Sequence, residues 1–179
     1  MLFPSVEAYI DEYSLHTQAL ADCFCGTEVF LFTLGLNECW RLRSSGRAIS
    51  RNPTNNIMLP VLKHSVLTVQ DNADAIQGFF NRVRAHNPSF KLVLTISPIL
   101  FLATGRGATH HVVEANHHSK SVLTVPANQL AMNNPDIHCF PSYEQTMYVM
   151  RDQWLEDGRH LKRPTVEQNV NLFLEMFSC

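Results

Sequence analysis

Three short apolar runs constrain the fold of this chain more than any other feature of its sequence. They cover residues 29–34, 91–99 and 137–140 and show almost no alternation of apolar and polar positions. Such continuous runs are typical of parallel strands that are covered by helices on both faces. Helical patterns lie between them and can supply the crossovers. The sequence therefore predicts a three-layer α/β sandwich with a parallel sheet.

Four further segments carry apolar residues at the spacing of amphipathic helices. These segments are residues 3–20, 69–85, 118–132 and 165–177. Residues 41–63 instead contain clustered Ser, Gly, Asn and Pro, which predict a long loop. Ligand sites in parallel sheets lie beyond the carboxyl ends of the strands, so we expect this loop to lie over that edge.

Composition indicates one medium globular domain and excludes several functional classes. The 179 residues are 45% hydrophobic, carry a formal net charge of −2 and have 14 scattered Lys and Arg residues. This charge gives no field that would hold a polyanion, so we expect no nucleic-acid partner. No apolar run reaches the length of about 18 residues needed to span a membrane. The acidic start of the chain is unlike an export signal, and the five cysteines are an odd number, so we expect a cytoplasmic protein with reduced thiols.

Two short motifs carry side chains suited to acyl-transfer chemistry. Gly35 and Asn37 follow the first apolar run, where the glycine permits a sharp turn and the Asn37 amide nitrogen can point into the crevice. Donors placed in this way stabilise an oxyanion. Near the other end, Asp157 precedes His160 by three residues, so it can accept the Nδ1 proton and leave Nε2 as a general base. Each motif alone is better explained by an ordinary or capped turn.

Taken together, the two motifs resemble the third and fifth sequence blocks of SGNH hydrolases. Residues 32–40, F-T-L-G-L-N-E-C-W, are similar to the T-L-G-L-T-E-x-W run of the GSCFA family. Three further segments resemble motifs of that family in the same order: L-T-I-S-P at 94–98, S-K-S-V-L at 119–123 and F-P-S-Y-E at 140–144. The chain is identified as a member of the GSCFA family, within the SGNH hydrolase-like superfamily.

The resemblance implies an SGNH or flavodoxin-like fold and a serine esterase, O-acyl hydrolase or acyltransferase that needs no cofactor. His160 would be the base, Asp157 would orient it, and Gly35 and Asn37 would form the oxyanion hole. The substrate would be a small-molecule or glycan ester. Asn37 stands where the family run has Thr, and it restores the donor of the wider superfamily.

A nucleophilic serine is the part of this pattern that the chain does not show. The segment C-F-C-G at 23–26 lies too close to the first strand, and Ser5 and Ser14 lie on the predicted first helix. We therefore assign no nucleophile in this chain. The resemblance implies a single domain over residues 1–179 that is N-terminally incomplete and lacks two strands as well as the serine. The strand at 29–34 would then have an open edge, which can pair with a protein partner.

Two other interpretations of the sequence stay open. The chain can be a non-catalytic remnant or binding module that keeps the crevice without the nucleophile. A metal site is suggested by side chains that would share one helical face, namely His110, Glu114, His117 and His118. The related family segment lacks these histidines, so we expect surface histidines and no metal.

Two groups near the family motifs are interpreted as structural. Lys120 lies amid a predicted helix, where a charged residue normally faces solvent. Ser142, Tyr143 and Glu144 follow a proline at the end of a strand, so they either terminate that strand or line the crevice.

Overall fold

The computed structural model describes residues 3–49, 53 and 58–177. Along the chain its helices and strands are α1 (Val6–Gly26), β1 (Val29–Leu34), β2 (Glu38–Leu42), β3 (Ala48–Ile49), β4 (Leu62–Val66), α2 (Val69–Arg84), β5 (Lys91–Ile96), α3 (Val112–Asn133), β6 (Ile137–Phe140), α4 (Ser142–Glu144) and α5 (Arg163–Phe177). A 3-10 turn (Leu59–Val61) precedes β4, and α4 continues as a π-helical segment (Gln145–Val149).

The three apolar runs form a parallel sheet of order β1-β5-β6. Val29 lies opposite Lys91, and Leu92 lies opposite Ile137. The central strand β5 is buried at every position after Lys91, which explains its continuous apolarity. The predicted strands are confirmed, although β5 ends at Ile96 rather than at position 99.

Helices cover both faces of this sheet. On one face Leu92 and Leu94 belong to the core cluster that also contains Phe80 of α2 and Leu123 of α3. On the other face the ring of Phe140 packs edge to face against α5, at 5.4 Å from the centroid of Phe173. Along β6, Ile137 and Cys139 pack into the core cluster, whereas His138 and Phe140 contact Phe177 of α5, so alternate residues face different helical layers. The predicted three-layer α/β fold is confirmed.

The long loop predicted over residues 41–63 is wrong at residues 41–42, 48–49 and 62–63, which belong to strands. β2 pairs antiparallel with β3 and β4 to make a second sheet of order β3-β2-β4, with Trp40 opposite His64. The Ser-Ser-Gly cluster is a tight hairpin turn, in which Gly46 adopts a φ of +69° that favours glycine. The part of the predicted loop at 50–52 and 54–57 lies outside the described residues.

Two helices are longer than their apolar patterns suggested. α1 continues to Gly26, so the C-F-C-G segment is its last turn, and the hydroxyl of Thr27 bonds to the Cys23 carbonyl there at 2.6 Å. α3 begins six residues before position 118, because the His111 side chain caps it by accepting from the N–H of Val113. Among the described helices, none is both long and apolar enough to cross a membrane.

One edge of β1 has no strand beside it within the described ranges. Its exposed side chains include Val29, Leu31 and Phe32. β1 pairs with β5 along its other edge only. The protein partner predicted along the open edge stays a prediction.

Candidate active site

β1 and β5 end side by side, and a cavity opens where they end. The N–H of Ser97 donates to the carbonyl of Leu34 at 2.9 Å, so the parallel pairing of the two segments continues one residue beyond the end of β5. The cavity has a volume of about 370 Å³. Its lining residues are Gly35, Leu36, Ser97, Ile99, Leu100, Phe101, Leu102, Ala103 and Arg159. This is the edge at which parallel sheets bind ligands.

The turn after β1 contributes two residues with unused backbone donors to the lining of this cavity. The N–H groups of Gly35 and Leu36 form no hydrogen bond with any described residue. The Gly35 carbonyl, by contrast, accepts a hydrogen bond of 2.8 Å from the ammonium of Lys120. Two successive free N–H groups at a cavity wall are suited to binding an oxyanion.

Asn37 lies in the interior and does not open into the crevice as its sequence position suggested. Its residue surface is 0% exposed, and its Nδ2 donates to the carbonyl of Leu67 at 3.0 Å. The Asn37 N–H donates to the hydroxyl of Ser119 at 2.8 Å. Its Oδ1 is buried without a hydrogen-bond partner among the described residues. The side chain therefore ties β1 to the segment that follows β4, because its donor is already engaged there.

Two consecutive residues of α3 hold the turn after β1 from both ends. Ser119 accepts from the N–H of Asn37, and Lys120 donates to the carbonyl of Gly35. Lys120 is only 2% exposed, and its ammonium lies 5.8 Å from the centroid of the Phe101 ring. Burial lowers the pKa of Lys120 to about 8. The expectation that Lys120 faces solvent is thus wrong.

The burial of Lys120 had a signal in the sequence that motif reasoning missed. Asn116, Lys120, Leu123 and Ala127 follow one another at intervals of four, three and four residues. This is the spacing of one helical face, and all four residues are buried. The periodicity of α3 therefore places Lys120 on the stripe that packs against the sheet.

The D-x-x-H motif lies on a hairpin between α4 and α5. The hairpin is closed by a bridge between Trp154 and Leu161, and it turns at Gly158, whose φ of +63° favours glycine. This turn brings Asp157 Oδ2 to 2.5 Å from Nδ1 of His160. The contact that the three-residue spacing suggested is therefore present.

Asp157 is held in its charged form by three donors. The His160 side chain bonds to its carboxylate, and the N–H groups of His160 and Arg159 both donate to Oδ1 at 2.9 Å. These bonds, of which that from the imidazole is the largest contribution, hold the pKa of Asp157 well below its usual range. Asp157 thus remains an acceptor that orients the His160 ring.

Arg159 connects the imidazole to the cavity. Its Nε donates to the carbonyl of Leu100 at 2.8 Å, and its Nη1 lies 3.2 Å from Nε2 of His160. A guanidinium has donors only, so a hydrogen bond at this contact requires Nε2 as the acceptor and places the proton on Nδ1. This is the tautomer that a general base requires.

A second buried cluster surrounds Glu38, which sequence reasoning did not select. Its carboxylate accepts hydrogen bonds from Thr104 Oγ1 at 2.6 Å and the Gly105 N–H at 2.9 Å. Arg106 Nε and His64 Nε2 lie within 3.2 Å of it. Burial raises the pKa of Glu38, but the hydrogen bonds lower it more, so the net pKa is below the ordinary value. Glu38 thereby fastens the segment after β5 onto β2.

The remaining predicted residues do not join this site. Ser142 is buried, and its Oγ lies 2.6 Å from Thr95 Oγ1 and donates to the Ile96 carbonyl, so its contacts tie α4 to β5. Nowhere in the described part of the chain do three or more His, Cys, Asp or Glu side chains come close enough to hold a metal ion. His117 and His118 therefore belong to no such group among the described residues.

Comparison with known proteins places the whole described core within one family. The model of the GSCFA family matches residues 3–173, which include the turn after β1, α3 and the D-x-x-H hairpin. A search of curated proteins gives no match for the chain.

Proposed function

Because the chain belongs to the GSCFA family, we propose that its domain is an SGNH-type ester hydrolase or O-acyltransferase in which His160 is the general base. One observation carries the proposal: the His160 ring is bonded to Asp157 through Nδ1, and its Nε2 lies beside Arg159, which lines the strand-end cavity. A small-molecule or glycan ester is the proposed substrate class.

In the proposed reaction His160 Nε2 accepts the proton of a serine hydroxyl as its oxygen attacks the ester carbonyl carbon. The charge that forms on the carbonyl oxygen is stabilised by the N–H groups of Gly35 and Leu36, where one lost donor typically costs about 3 kcal/mol. The proton then passes to the leaving alkoxide, and an acyl-serine remains. Water or a sugar hydroxyl releases the acyl group in a second step with the same base.

The proposal names no nucleophile, because no serine of this sequence was assigned that role. Support for a base that waits for a nucleophilic hydroxyl comes from the exposure of the pair: the side chains of His160 and Asp157 are about half exposed. An incoming nucleophile and ester can therefore reach Nε2 once the Arg159 guanidinium moves aside. The free edge of β1 lies next to the turn that carries the proposed oxyanion donors.

The test uses the protein purified from its natural source, a fluorophosphonate probe and p-nitrophenyl esters. We expect His160→Gln to lower both the labelling rate of one serine and kcat/KM by about a thousandfold or more. The matched control is His86→Gln, which removes an exposed histidine at the end of α2 and should leave both rates unchanged. Serine labelling that does not depend on His160, or no labelling at all, would refute the proposal.

One observation favours a second candidate, a module that binds an ester or acyl sugar without turnover. The Arg159 guanidinium occupies the acceptor side of His160, so the base is engaged in the state described. Under this alternative, Arg159→Gln weakens ligand binding and no variant shows turnover. Under the enzymatic proposal, the natural protein turns the ester over and the rate depends on His160.

A further inference from the structure

The strand-end cavity has apolar walls that are exposed to solvent without a ligand. Five consecutive residues, 99–103, line it together with Leu36. Leu102 is 79% exposed and Leu36 is 49% exposed, which are high values for leucine. Exposed apolar side chains grouped around one cavity are stabilised when a ligand removes them from water.

One end of the same cavity is positively charged. Arg159 lines it, and no described carboxylate lies within ion-pair distance of the guanidinium. The free N–H groups of Gly35 and Leu36 are at the same cavity. An unpaired cation and two free donors suit an anionic or strongly polarised oxygen, while the rest of the wall suits hydrocarbon. The charge of the cavity is thus complementary to that of a carboxylate with an apolar tail.

The wall is held in place before any ligand arrives. Within it, the N–H of Phe101 donates to Asn116 Oδ1 at 3.2 Å, and the N–H of Ile99 donates to Ser97 Oγ at 3.3 Å. Directly after the wall, Thr104 is bonded to Glu38. A segment that is fixed at several points loses little freedom when a ligand binds, which favours affinity.

We propose that this cavity binds the apolar acyl chain of a medium-chain ester, with the carbonyl end directed toward Arg159 and the N–H groups of Gly35 and Leu36. The inference rests on the proposed function, because it assigns the acyl side of the same ester. The size of the chain follows from the cavity volume of about 370 Å³. This volume is many times the roughly 30 Å³ that one water molecule occupies in the liquid, so an acetyl group leaves most of the cavity empty. A chain of several carbons is needed to cover its apolar walls.

The experiment measures binding of the product carboxylates acetate, hexanoate and octanoate to the protein by calorimetry, below their micelle-forming concentrations. Each methylene that enters the cavity should tighten Kd by about two- to fourfold, so octanoate should bind at least fiftyfold more tightly than acetate. With 15N-glycine labelling, the Gly35 amide signal should shift with octanoate, and Gly35→Ala identifies that signal by its loss.

Three variants locate the bound chain. Ala103→Phe fills the cavity and should weaken octanoate at least tenfold, while Leu102→Ser removes an exposed part of the wall and should weaken it several-fold with little effect on folding. The control is Leu15→Ser, on α1, which removes a leucine of similar exposure that does not line the cavity. Arg159→Gln should weaken octanoate but leave octanol unchanged.

The outcomes separate this inference from the proposed function. If octanoate binds no more tightly than acetate, or if Ala103→Phe leaves octanoate binding unchanged, the acyl cavity is refuted even where ester hydrolysis depends on His160. If octanoate binds as expected but hydrolysis does not depend on His160, the cavity stands and the enzymatic proposal falls.

Discussion

Replacement of Lys120 by Met should remove one specific component of the pH dependence of stability. Burial lowers the pKa of Lys120 from its ordinary 10.5 to about 8 in the folded protein. Between these pH values the unfolded chain binds a proton at this site and the folded chain does not, so stability rises with pH. The cost of the buried charge is fully present below pH 8 and is relieved above it. Its magnitude is at most between about 3 and 4 kcal/mol, at 1.36 kcal/mol for each of roughly 2.5 pKa units.

At pH 7 two effects of Lys120→Met oppose each other. The variant no longer buries a charge, but it loses the charged hydrogen bond to the Gly35 carbonyl, a kind of bond that contributes about 1.5–3 kcal/mol. We therefore expect the free energy of unfolding at pH 7 to change by no more than about 1.5 kcal/mol. From pH 8 to 10.5 the wild type should gain at most between about 3 and 4 kcal/mol relative to the variant.

The assay is urea unfolding followed by circular dichroism, at pH 7, 8, 9 and 10 for both proteins. Lys91→Met is the control, because it removes the same charge from an exposed position at the start of β5. A difference between the wild type and Lys120→Met that stays flat from pH 8 upward would refute the reasoning. The Lys120 ammonium would then be hydrated rather than buried.

Three other changes test the site and its support. Gly105→Ala should destabilise the protein by about 1–3 kcal/mol in thermal unfolding, because the new Cβ meets the ring of His64, which Glu38 holds; an unchanged Tm would contradict this. Glu38→Gln should cost about 2–3 kcal/mol in urea unfolding, since its donors lose a charged acceptor. Asp157→Asn should destabilise the protein at pH 7 but less at pH 3. The lowered pKa of Asp157 stabilises the folded state above the ordinary value near 4, and this stabilisation decreases as pH falls toward the folded value; a destabilisation that does not depend on pH would contradict it.

Local patterns in the sequence predicted the strands of the parallel sheet and part of the site. Continuous apolarity marks all three strands, and in β5 it matches burial at every position after Lys91. β1 is equally apolar although most of its residues are exposed. The contact between Asp157 and His160 depends on their short separation in the sequence, since a turn at Gly158 is enough to bring the two side chains together. The strands were recognisable because each carries its apolar pattern within its own segment, and the Asp157–His160 contact because its two residues are three positions apart.

The strand pairing of residues 38–66 was decided by the tertiary structure. Ser, Gly and Asn indicate turns, but they do not distinguish an open loop from a hairpin between short strands. Pairing of β2 with β4 supplies the backbone hydrogen bonds that this segment would otherwise lack, and it brings His64 to Glu38. A long-range pairing of this kind leaves only a weak local pattern.

The roles of Asn37, Lys120 and Arg159 likewise depend on partners far along the chain. Asn37 is engaged by Leu67 and by α3, Lys120 reaches the carbonyl 85 positions before it, and Arg159 reaches the carbonyl of residue 100. By itself, the sequence indicated the fold class, the family and the contact between Asp157 and His160. The tertiary structure alone decided which donors remain free to bind an oxyanion, because a hydrogen bond used within the fold cannot be seen from either partner's own segment.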